Sequence, residues 1–491
     1  MYIAFLNPQG NFDKNDSFWT EHPDFGGQLV YVKEIAIALG KLGHKVDILT
    51  RRFFDTKFNV FDNEFDYYDN ISNVRIIRIK CGPNIFLKKE LLWEYLNEWT
   101  DNIVSFYKSN GLTPDFITGH YGDGGISATL LKQKMKLPYS FTGHSLGAQK
   151  LEKLGANSSN IIELNNKYNF TTRIEAERIA MKYADIIVVS SKQEQREQYS
   201  HVMYRDITFN KQNHFVVASP GANTSIFNAL EQPFDKKFYL KFNKICQRDI
   251  DKERLNLPFI ILASRFDAKK NHIGLIKAYA KNKELQNKAN IAISLRGIEN
   301  AYENYSFLKP DEFKILDQIM KVIKEYHLIG HITFISINSQ KELAAFYRFM
   351  AKKLSIFSLT ALYEPFGLAP IEAMSAGLPA VVTKYGGPSD VLLENNIHYG
   401  ILVDVLNEQD IAEGLLKCLR HHHHFQILGI QRVNDKYTWK TTAKQYLNAI
   451  QLFLKKTRHD KNIEIPLYFT NPNLYNIDLK FISQKLKEME N

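Results

Sequence analysis

Residues 364–379 read EPFGLAPIEAMSAGLP, and this stretch decides the fold. An apolar run from Ser355 to Thr360 precedes it and predicts a buried strand. Gly367 then opens a segment with apolar residues at helical spacing, and Gly377 and Pro379 end that segment. A second apolar run follows, so the order strand, loop, helix, strand predicts a parallel sheet.

The start of this predicted helix is suited to hold a phosphate. Phe366-Gly367-Leu368 would present free N–H groups at the positive end of the helix dipole, and glycine lets an anion approach closely. Glu364 falls in the loop and Glu372 about two turns into the helix. Glu372 alone is typical of a solvated helix face. The whole string instead favours two carboxylates that bind the hydroxyls of a sugar nucleotide.

The composition predicts at least two domains and no membrane span. The chain has 491 residues, of which 44% are hydrophobic and 24% charged, and it is too long for one ordinary core. We find no apolar run of about 18 residues, and the N-terminus predicts a strand rather than a signal peptide. Cys81, Cys246 and Cys418 lie far apart, which argues against a disulfide framework. We therefore expect a cytoplasmic protein.

The net charge of +10 admits three kinds of partner: nucleic acid, an anionic membrane surface or anionic small molecules. Basic residues are spread along the chain, and no nucleic-acid-binding signature occurs. We therefore expect phosphorylated small molecules as substrates, with no nucleic acid and no membrane as partner.

The first half predicts a parallel sheet with polar, glycine-rich loops at the carboxyl ends of its strands, where ligands of open α/β sheets bind. The G-x-G-x-x-G pattern of a dinucleotide site is absent after the first strand. Instead, Gly26-Gly27-Gln28 opens the first helix, as a tight turn or as part of a site. Later strands lead into a loop that contains Tyr121 and into His144-Ser145.

The second half predicts a new sheet that begins with strand Pro258–Ala263. Arg265 and Lys270 follow this strand, just before a helix that starts near Asn271, and this placement suits a diphosphate. The boundary between the two halves is expected in the turn cluster at 219–223.

Together these motifs resemble those of bacterial sucrose-phosphate synthases, which are retaining glycosyltransferases of the GT-B class, of the family 4 type. The resemblance extends over essentially the whole chain. It is carried by NPQG at 7–10, HPDFGGQ at 22–28, GHYGDGG at 119–125, TGHSLG at 142–147, Ser264-Arg265, Lys269-Lys270-Asn271 and YEPFGL at 363–368.

The resemblance implies a fold of two Rossmann-like, doubly wound α/β domains that face a central cleft. Residues 1–222 would bind the acceptor, and residues 223–437 the nucleotide sugar. The last helix and tail, 438–491, would cross back onto the first domain.

The implied reaction transfers glucose from UDP-glucose to fructose 6-phosphate and gives sucrose 6-phosphate and UDP, with retention of configuration. No cofactor or metal is required, and stimulation by Mg²⁺ is left open. Arg265 and Lys270 would stabilise the leaving phosphate, Glu364 would hold the donor sugar and His144 its 6-hydroxyl. These four are the implied catalytic residues.

The resemblance also implies two sets of binding residues. The donor set is Gly26, Gly27, Arg265, Lys270, Arg296, Leu343, Glu364, Phe366, Gly367, Leu368 and Glu372. The acceptor set is Gly27, Gln28, Lys89, Tyr121, Ser145, Lys150, Arg173 and Arg178. Relatives carry two adjacent arginines where this chain has Thr172-Arg173, so one contact to the acceptor phosphate is expected to be missing.

Three alternatives stay open at this point. The first is a mannosylfructose-phosphate synthase that uses GDP-mannose, the second a less related transferase with a lipid acceptor, and the third a silent sugar-nucleotide-binding module. Too little chain follows Leu454 for an appended phosphatase domain, so we expect a separate sucrose-phosphate phosphatase in the pathway. The run His421–His424 is predicted to lie in solvent at a helix end or loop, with a metal site as the alternative.

Overall fold

A computed structural model gives the fold and describes residues 1–15, 27–69, 71–456 and 462–490. The chain divides into two compact units, one formed by Met1–Ser219 with Thr442–Asn491 and the other by Pro220–Thr441. The boundaries predicted from sequence, after residues 222 and 437, lie within four residues of these divisions.

The first unit is built on an eight-stranded sheet with the order β3-β4-β2-β1-β5-β6-β7-β8. All strands run parallel except β3, which pairs antiparallel with β4 at the edge. The strands are β1 (Tyr2–Leu6), β2 (Lys45–Arg52), β3 (Phe65–Tyr67), β4 (Val74–Lys80), β5 (Phe116–His120), β6 (Tyr139–Thr142), β7 (Ile186–Val189) and β8 (Phe215–Val217). The chain order reverses between β1 and β5, which is where open α/β sheets bind ligands.

Helices cover both faces of this sheet, which explains why its central strands are apolar throughout. They are α1 (Gly27–Lys41), α2 (Lys89–Leu92), α3 (Leu96–Ser109), α4 (Tyr121–Met135), α5 (Gly147–Lys153), α6 (Ile161–Tyr168), α7 (Phe170–Tyr183), α8 (Lys192–Glu194) and α9 (Arg205–Thr208). A 3₁₀ turn, Trp93–Tyr95, separates α2 from α3. Leu92, Trp93 and Leu96 are all buried in this segment.

The second unit contains a six-stranded, fully parallel sheet with the order β11-β10-β9-β12-β13-β16. A small antiparallel hairpin, β14-β15, lies apart from it. The strands are β9 (Phe259–Leu262), β10 (Asn290–Leu295), β11 (Ile332–Ser336), β12 (Ile356–Leu359), β13 (Ala380–Thr383), β14 (Leu393–Glu394), β15 (Ile397–His398) and β16 (Ile401–Val403). Here the chain order reverses between β9 and β12.

The helices of the second unit follow the same alternation with strands. They are α10 (Asp235–Asp249), α11 (His272–Lys281), α12 (Lys283–Lys288), α13 (Ala301–Asn304), α14 (Pro310–Glu325), α15 (Gln340–Lys352), α16 (Leu368–Ser375), α17 (Pro388–Leu392), α18 (Glu408–Arg420) and α19 (His422–Lys436).

The last two helices, α20 (Trp439–Leu454) and α21 (Lys480–Glu490), return the chain to the first unit. The hydroxyls of Tyr446 and Ser140 share a hydrogen bond of 3.1 Å, and Ile482 and Leu486 are buried in the core of the first unit. The last helix and the tail therefore pack against the first unit.

The histidine run joins α18 to α19. His421, His423 and His424 are exposed as predicted, but His422 is buried and its Nε2 lies 3.1 Å from the Ser355 carbonyl oxygen. The prediction is thus wrong for His422, because the first turn of α19 packs this ring inward. All three cysteines are buried free thiols.

Candidate active site

A pocket lies in the first unit at the carboxyl edge of its sheet, where β1 and β5 diverge. Its lining combines cations, aromatic rings and two carboxyl groups. The lining residues are Gln9, Lys89, Glu90, Trp93, Tyr121, Asp123, Tyr168 and Arg173. Sequence analysis assigned Lys89, Tyr121 and Arg173 to acceptor binding, and the structure brings these three together.

Lys150, also predicted for the acceptor phosphate, lies beside this pocket. Its ammonium group is 4.0 Å from the ring centroid of Tyr168. Burial, together with the positive charges of Lys89 and Arg173, lowers the pKa of Lys150 to about 8. The positive charges of Lys89, Lys150 and Arg173 repel one another, so a bound anion would relieve this repulsion.

Buried hydrogen bonds fix Arg173. Its guanidinium pairs with Glu177 at 3.0 Å and lies 4.5 Å over the ring of Tyr121, while a second nitrogen donates to the Ser145 carbonyl oxygen. Glu177 also accepts from the backbone N–H of Gly147. The cation is therefore held in place by α7 itself and by the loop after β6.

A second buried arginine positions the loop that precedes Lys89. Arg51, near the end of β2, donates to the carbonyl oxygens of Cys81, Pro83 and Ile85. Lys89 then begins α2 and lies 4.0 Å from Glu90. The hydrogen bonds of Arg51 thus fix the position from which the Lys89 side chain enters the pocket lining.

Arg178 does not join this group, which corrects its assignment to the acceptor phosphate. Its guanidinium pairs with Asp206 at 2.6 Å, donates to the Met203 carbonyl oxygen and lies 4.2 Å over the ring of Phe481. Because Arg178 follows Arg173 by five positions on α7, the two side chains leave the helix on different faces.

His144 and Tyr121 both have left-handed backbone conformations, with φ of 56° and 67°. Such conformations are uncommon outside glycine and cluster at functional sites. The Nε2 atom of His144 lies 2.9 Å from Nδ1 of His120, and the ring of Tyr31 packs against it edge-on. Burial lowers the pKa of His144 to about 3, so the ring is neutral at pH 7.

The remaining predicted residues of the first unit lie near the same sheet edge or outside the described residues. Gln28, in the first turn of α1, donates to the Gln9 side chain at 3.4 Å. Ser145 is half-buried in the loop after β6. Gly27 begins α1. The assignment of Gly26 falls on residues that the structure does not describe.

In the second unit, the predicted diphosphate and sugar contacts lie at the point where β9 and β12 diverge. The Lys270 ammonium lies 2.6 Å from the Glu364 carboxylate, with the side chains only 20% and 13% exposed. Arg265 is exposed in the same loop as Lys270, and its guanidinium forms no ion pair within the described ranges.

Backbone contacts hold this loop. Asn271 has a φ of 50° and caps α11 by accepting from Gly274 N–H at 3.2 Å. Leu362 N–H donates to the Lys269 carbonyl oxygen at 2.8 Å, which ties the loop after β9 to the loop after β12.

The deciding stretch itself folds as predicted: Gly367 is the N-cap of α16 with a φ of 94°, and Leu368 is its first residue. Phe366 is buried against the ring of Tyr437. Glu372 is half-buried and lies in the second turn of α16. A helix start that adopts this conformation leaves N–H groups available to an anion.

The last two predicted donor residues occupy neighbouring strand ends. Arg296 is exposed directly after β10, and Leu343 is half-buried in the first turn of α15, after β11. Ser339 caps α15 by accepting from Glu342 N–H at 3.2 Å. The second unit thus places its predicted residues at the carboxyl ends of four adjacent strands.

Comparisons with known proteins identify the family. Residues 1–247 match the family described as "Sucrose synthase first GT-B domain", and residues 246–426 match "Glycosyl transferases group 1". A probable sucrose-phosphate synthase from Thermosipho melanesiensis is 44% identical over 96% of this chain and 99% of its own length. The chain belongs to the sucrose-phosphate synthase family.

More distant sucrose-phosphate synthases agree with this. A probable sucrose-phosphate synthase from Craterostigma plantagineum is 30% identical over 92% of this chain, and the chain spans 47% of that longer protein. A solved sucrose-phosphate synthase from Thermosynechococcus elongatus shares the fold, with a TM-score of 0.66 at 21% identity, covering 92% of this chain and 99% of that one. The chain is therefore a hexosyltransferase with the α/β GT-B fold.

Two residues of this sucrose-phosphate synthase fold were not assigned to the site from the sequence, although the first of them lies in a recognised motif. Asp123 lines the first pocket, is 2% exposed and has an Oδ2 atom without a hydrogen-bond partner in the described part of the chain. Burial raises its pKa to about 7. The signal was its place in GHYGDGG, two residues after Tyr121.

Gly386 is the second missed residue. It has a φ of 105°, and a Cβ atom there would lie 2.0 Å from the Glu364 carbonyl oxygen. The next residue, Gly387, donates its N–H to that oxygen at 3.0 Å. The two glycines thus let the chain after β13 pack directly against the backbone of Glu364. This contact joins segments that are distant in sequence, so no local sequence pattern predicts it.

The structure also bears on metals and membranes. Within the described ranges, no group of three or more His, Cys, Asp or Glu side chains could hold a metal ion. In the same ranges, no helix is long and apolar enough to cross a membrane. The expectation that the reaction requires no metal stays a prediction.

Proposed function

We propose that the protein transfers glucose from UDP-glucose to fructose 6-phosphate, with retention, to form sucrose 6-phosphate and UDP. The observation that carries this proposal is the cluster of Lys89, Lys150 and Arg173 around one pocket of the first unit. Three converging cations suit a phosphate dianion. The carboxyl of Asp123 and the ring of Tyr121 add a polar and an aromatic contact for a sugar.

The second unit is proposed to bind the nucleotide sugar. Arg265, Lys270 and the start of α16 supply positive charge for the diphosphate, whose negative charge grows as the sugar–phosphate bond breaks. Glu364 would accept hydrogen bonds from hydroxyls of the glucosyl group, and Glu372 from the ribose. This division of roles follows the family resemblance and agrees with the placement of these residues at adjacent strand ends.

The proposed chemistry proceeds on one face of the sugar. The C2 hydroxyl of the acceptor would attack the anomeric carbon from the side that the phosphate leaves, so that configuration is retained. The departing phosphate would take the hydroxyl proton, so that the transfer would proceed without a covalent intermediate. Neutral His144 would hold the 6-hydroxyl of the transferred glucose.

Product analysis tests the proposal. Purified protein is incubated with fructose 6-phosphate and, in parallel, UDP-glucose, ADP-glucose or GDP-mannose, with and without EDTA. We expect sucrose 6-phosphate from UDP-glucose, unchanged by EDTA. Mannosylfructose phosphate from GDP-mannose would instead support the alternative donor. Transfer to unphosphorylated fructose at the same kcat/KM would overturn the role of the cation cluster.

A sugar phosphate product requires a later dephosphorylation if free sucrose is the end product. We therefore propose a separate sucrose-phosphate phosphatase as the pathway partner and the cytoplasm as the place of reaction. Coupled assays that release phosphate only after such a phosphatase is added would support this order.

A further inference from the structure

Behind His144 lies a second histidine that the proposed reaction does not use. His120 is the last residue of β5 and is fully buried, whereas His144 lies half-buried in the loop after β6. A hydrogen bond of 2.9 Å joins His120 Nδ1 to His144 Nε2, and the two rings lie 5.1 Å apart in a stacked arrangement.

The hydrogen bonds continue into the sheet. The Thr118 hydroxyl lies 2.8 Å from His120 Nε2. Phe5 stacks on the His120 ring at 5.3 Å. Both nitrogens of His120 are therefore engaged. Within the described ranges, Nδ1 of His144 is the ring nitrogen of this pair that has no hydrogen-bond partner.

Counting protons shows how these groups depend on one another. Burial lowers the pKa of both rings, so each is neutral and carries one proton. One proton lies between the two rings. If His120 donates it, His120 Nε2 accepts from Thr118 and His144 Nδ1 carries an N–H. If His144 donates it, His144 Nδ1 becomes an acceptor and His120 donates to Thr118.

We propose that Thr118 and His120 are positioning residues that hold His144 in one neutral tautomer and leave its Nδ1 for a hydroxyl group of the ligand. A histidine offers a donor or an acceptor depending on its tautomer, so a mixture would halve the population competent to bind. The identity of the ligand sugar rests on the proposed function, whereas the tautomer of His144 does not.

The backbone supports this assignment. His144 is held at a φ of 56°, a conformation that a non-glycine residue keeps only when its surroundings determine it. The edge of the Tyr31 ring lies against His144, with ring centroids 5.0 Å apart. Tyr31 confines the His144 ring on one side and His120 confines it on another. The ring therefore cannot turn over to exchange the positions of its two nitrogens, and only a change of tautomer can alter what Nδ1 offers to a ligand.

Nitrogen NMR on the full-length protein labelled with ¹⁵N-histidine tests the proposal. The His144 ring signals are assigned by their loss in His144→Gln. Thr118→Val removes the hydroxyl without changing the size of the side chain, and Thr118→Ser keeps the hydroxyl as the matched control. His120→Phe removes the second ring's nitrogens but retains the stack on Phe5.

We expect one tautomer of His144 in the wild type and in Thr118→Ser, and a mixture in Thr118→Val and His120→Phe. With UDP-glucose and fructose 6-phosphate, the latter two variants should lose about twofold in kcat/KM for UDP-glucose with little change in KM for fructose 6-phosphate. A wild type that already populates both tautomers, or a His144 tautomer unchanged in both variants, would overturn the proposal. If the tautomer changes as expected but the wild type transfers no sugar, the proposed function fails and the positioning role stands.

Discussion

Lys270 and Glu364 lie 94 positions apart in the chain, yet their charged groups meet at 2.6 Å where β9 and β12 diverge. Both side chains are largely shielded from water, so removing one partner leaves the other charge poorly solvated. Without a ligand, Glu364 partly neutralises the cation assigned to the diphosphate. A bound nucleotide sugar would divide this pair, with Lys270 turning to phosphate and Glu364 to sugar hydroxyls.

Substituting each partner should therefore have opposite effects on nucleotide binding. Lys270→Ala is expected to weaken UDP binding by about tenfold or more, since a charge-assisted contact is lost. Glu364→Gln should bind UDP at least as tightly as the wild type while glucosyl transfer falls about 10- to 100-fold. Titration calorimetry with UDP and turnover assays measure the two effects.

Lys269→Ala is the matched control for this pair, because Lys269 is exposed in the same loop. Lys269→Ala should leave both the affinity for UDP and the rate of glucosyl transfer nearly unchanged. If Glu364→Gln weakens UDP binding as much as Lys270→Ala does, the carboxylate acts on the nucleotide and not on the sugar.

Lys150 should make acceptor affinity depend on pH. Its pKa is lowered to about 8 by burial and by neighbouring cations, so its positive charge is present below pH 8 and is lost as the pH rises through this value. The KM for fructose 6-phosphate is therefore expected to rise between pH 7 and 9, while the KM for the donor stays nearly constant. Lys150→Ala should raise the acceptor KM at pH 7 and remove this dependence.

Bound phosphate would raise the pKa of Lys150 again, so the transition is expected in kcat/KM for fructose 6-phosphate and not in kcat. Equal effects of Lys150→Ala on the KM values of donor and acceptor would contradict the assignment.

Arg178 provides the contrast, because the structure places it away from the pocket. Its ion pair with Asp206 is partly exposed to water, and its stack on Phe481 joins α7 to α21. Arg178→Ala should lower the free energy of unfolding by about 1 kcal/mol and leave the KM for fructose 6-phosphate unchanged. Urea denaturation measures the free energy of unfolding, and steady-state kinetics measure the KM for fructose 6-phosphate. A severalfold rise in that KM at unchanged stability would restore Arg178 to the acceptor site.

The sequence was sufficient for features that depend on local patterns. Apolar runs located the central strands of both sheets, and the glycine before Leu368 marked the start of α16 with its left-handed backbone. Because the carboxyl ends of parallel strands share an edge, Arg265, Lys270 and Glu364 could be assigned to one site before any coordinates were known.

Features that depend on tertiary contacts could not be predicted. Helical spacing separates Arg178 from Arg173, but the partners that hold Arg178 are Asp206 and Phe481, both distant in sequence. Likewise, His422 is buried because its ring reaches the Ser355 carbonyl oxygen, although its neighbours in the histidine run are exposed. For both Arg178 and His422, the hydrogen-bond partner is distant in sequence, so the spacing of neighbouring residues could not predict it.

Asp123 should cost stability at high pH and contribute acceptor affinity. Burial raises its pKa from 3.8 to about 7, so the stability of the free protein is highest where the carboxyl is protonated and is lost as the pH rises towards and through 7. Asp123→Asn keeps the shape of the neutral carboxyl. We expect a clearly higher Tm than the wild type at pH 8, a smaller increase at pH 5 and a raised KM for fructose 6-phosphate.

The exposed Asp435 on α19 provides the control, since Asp435→Asn should change neither the Tm nor the KM. A variant Asp123→Asn that is less stable than the wild type at pH 8 would show that the carboxylate has a structural partner and is not poised for a ligand hydroxyl.

Gly386→Ala should abolish transfer by displacing Glu364. The added Cβ atom would meet the Glu364 carbonyl oxygen at 2.0 Å, and a φ of 105° already disfavours any side chain. Gly43→Ala is the matched control, because Gly43 has a φ of 86° but no atom within 4 Å of the added Cβ. Both variants carry the backbone cost of about 1–2 kcal/mol, and only Gly386→Ala adds the clash. We therefore expect Gly43→Ala to retain wild-type turnover and Gly386→Ala to lose it at equal folded fraction by circular dichroism. Retention of full turnover in Gly386→Ala would mean that the position of Glu364 does not depend on the chain after β13.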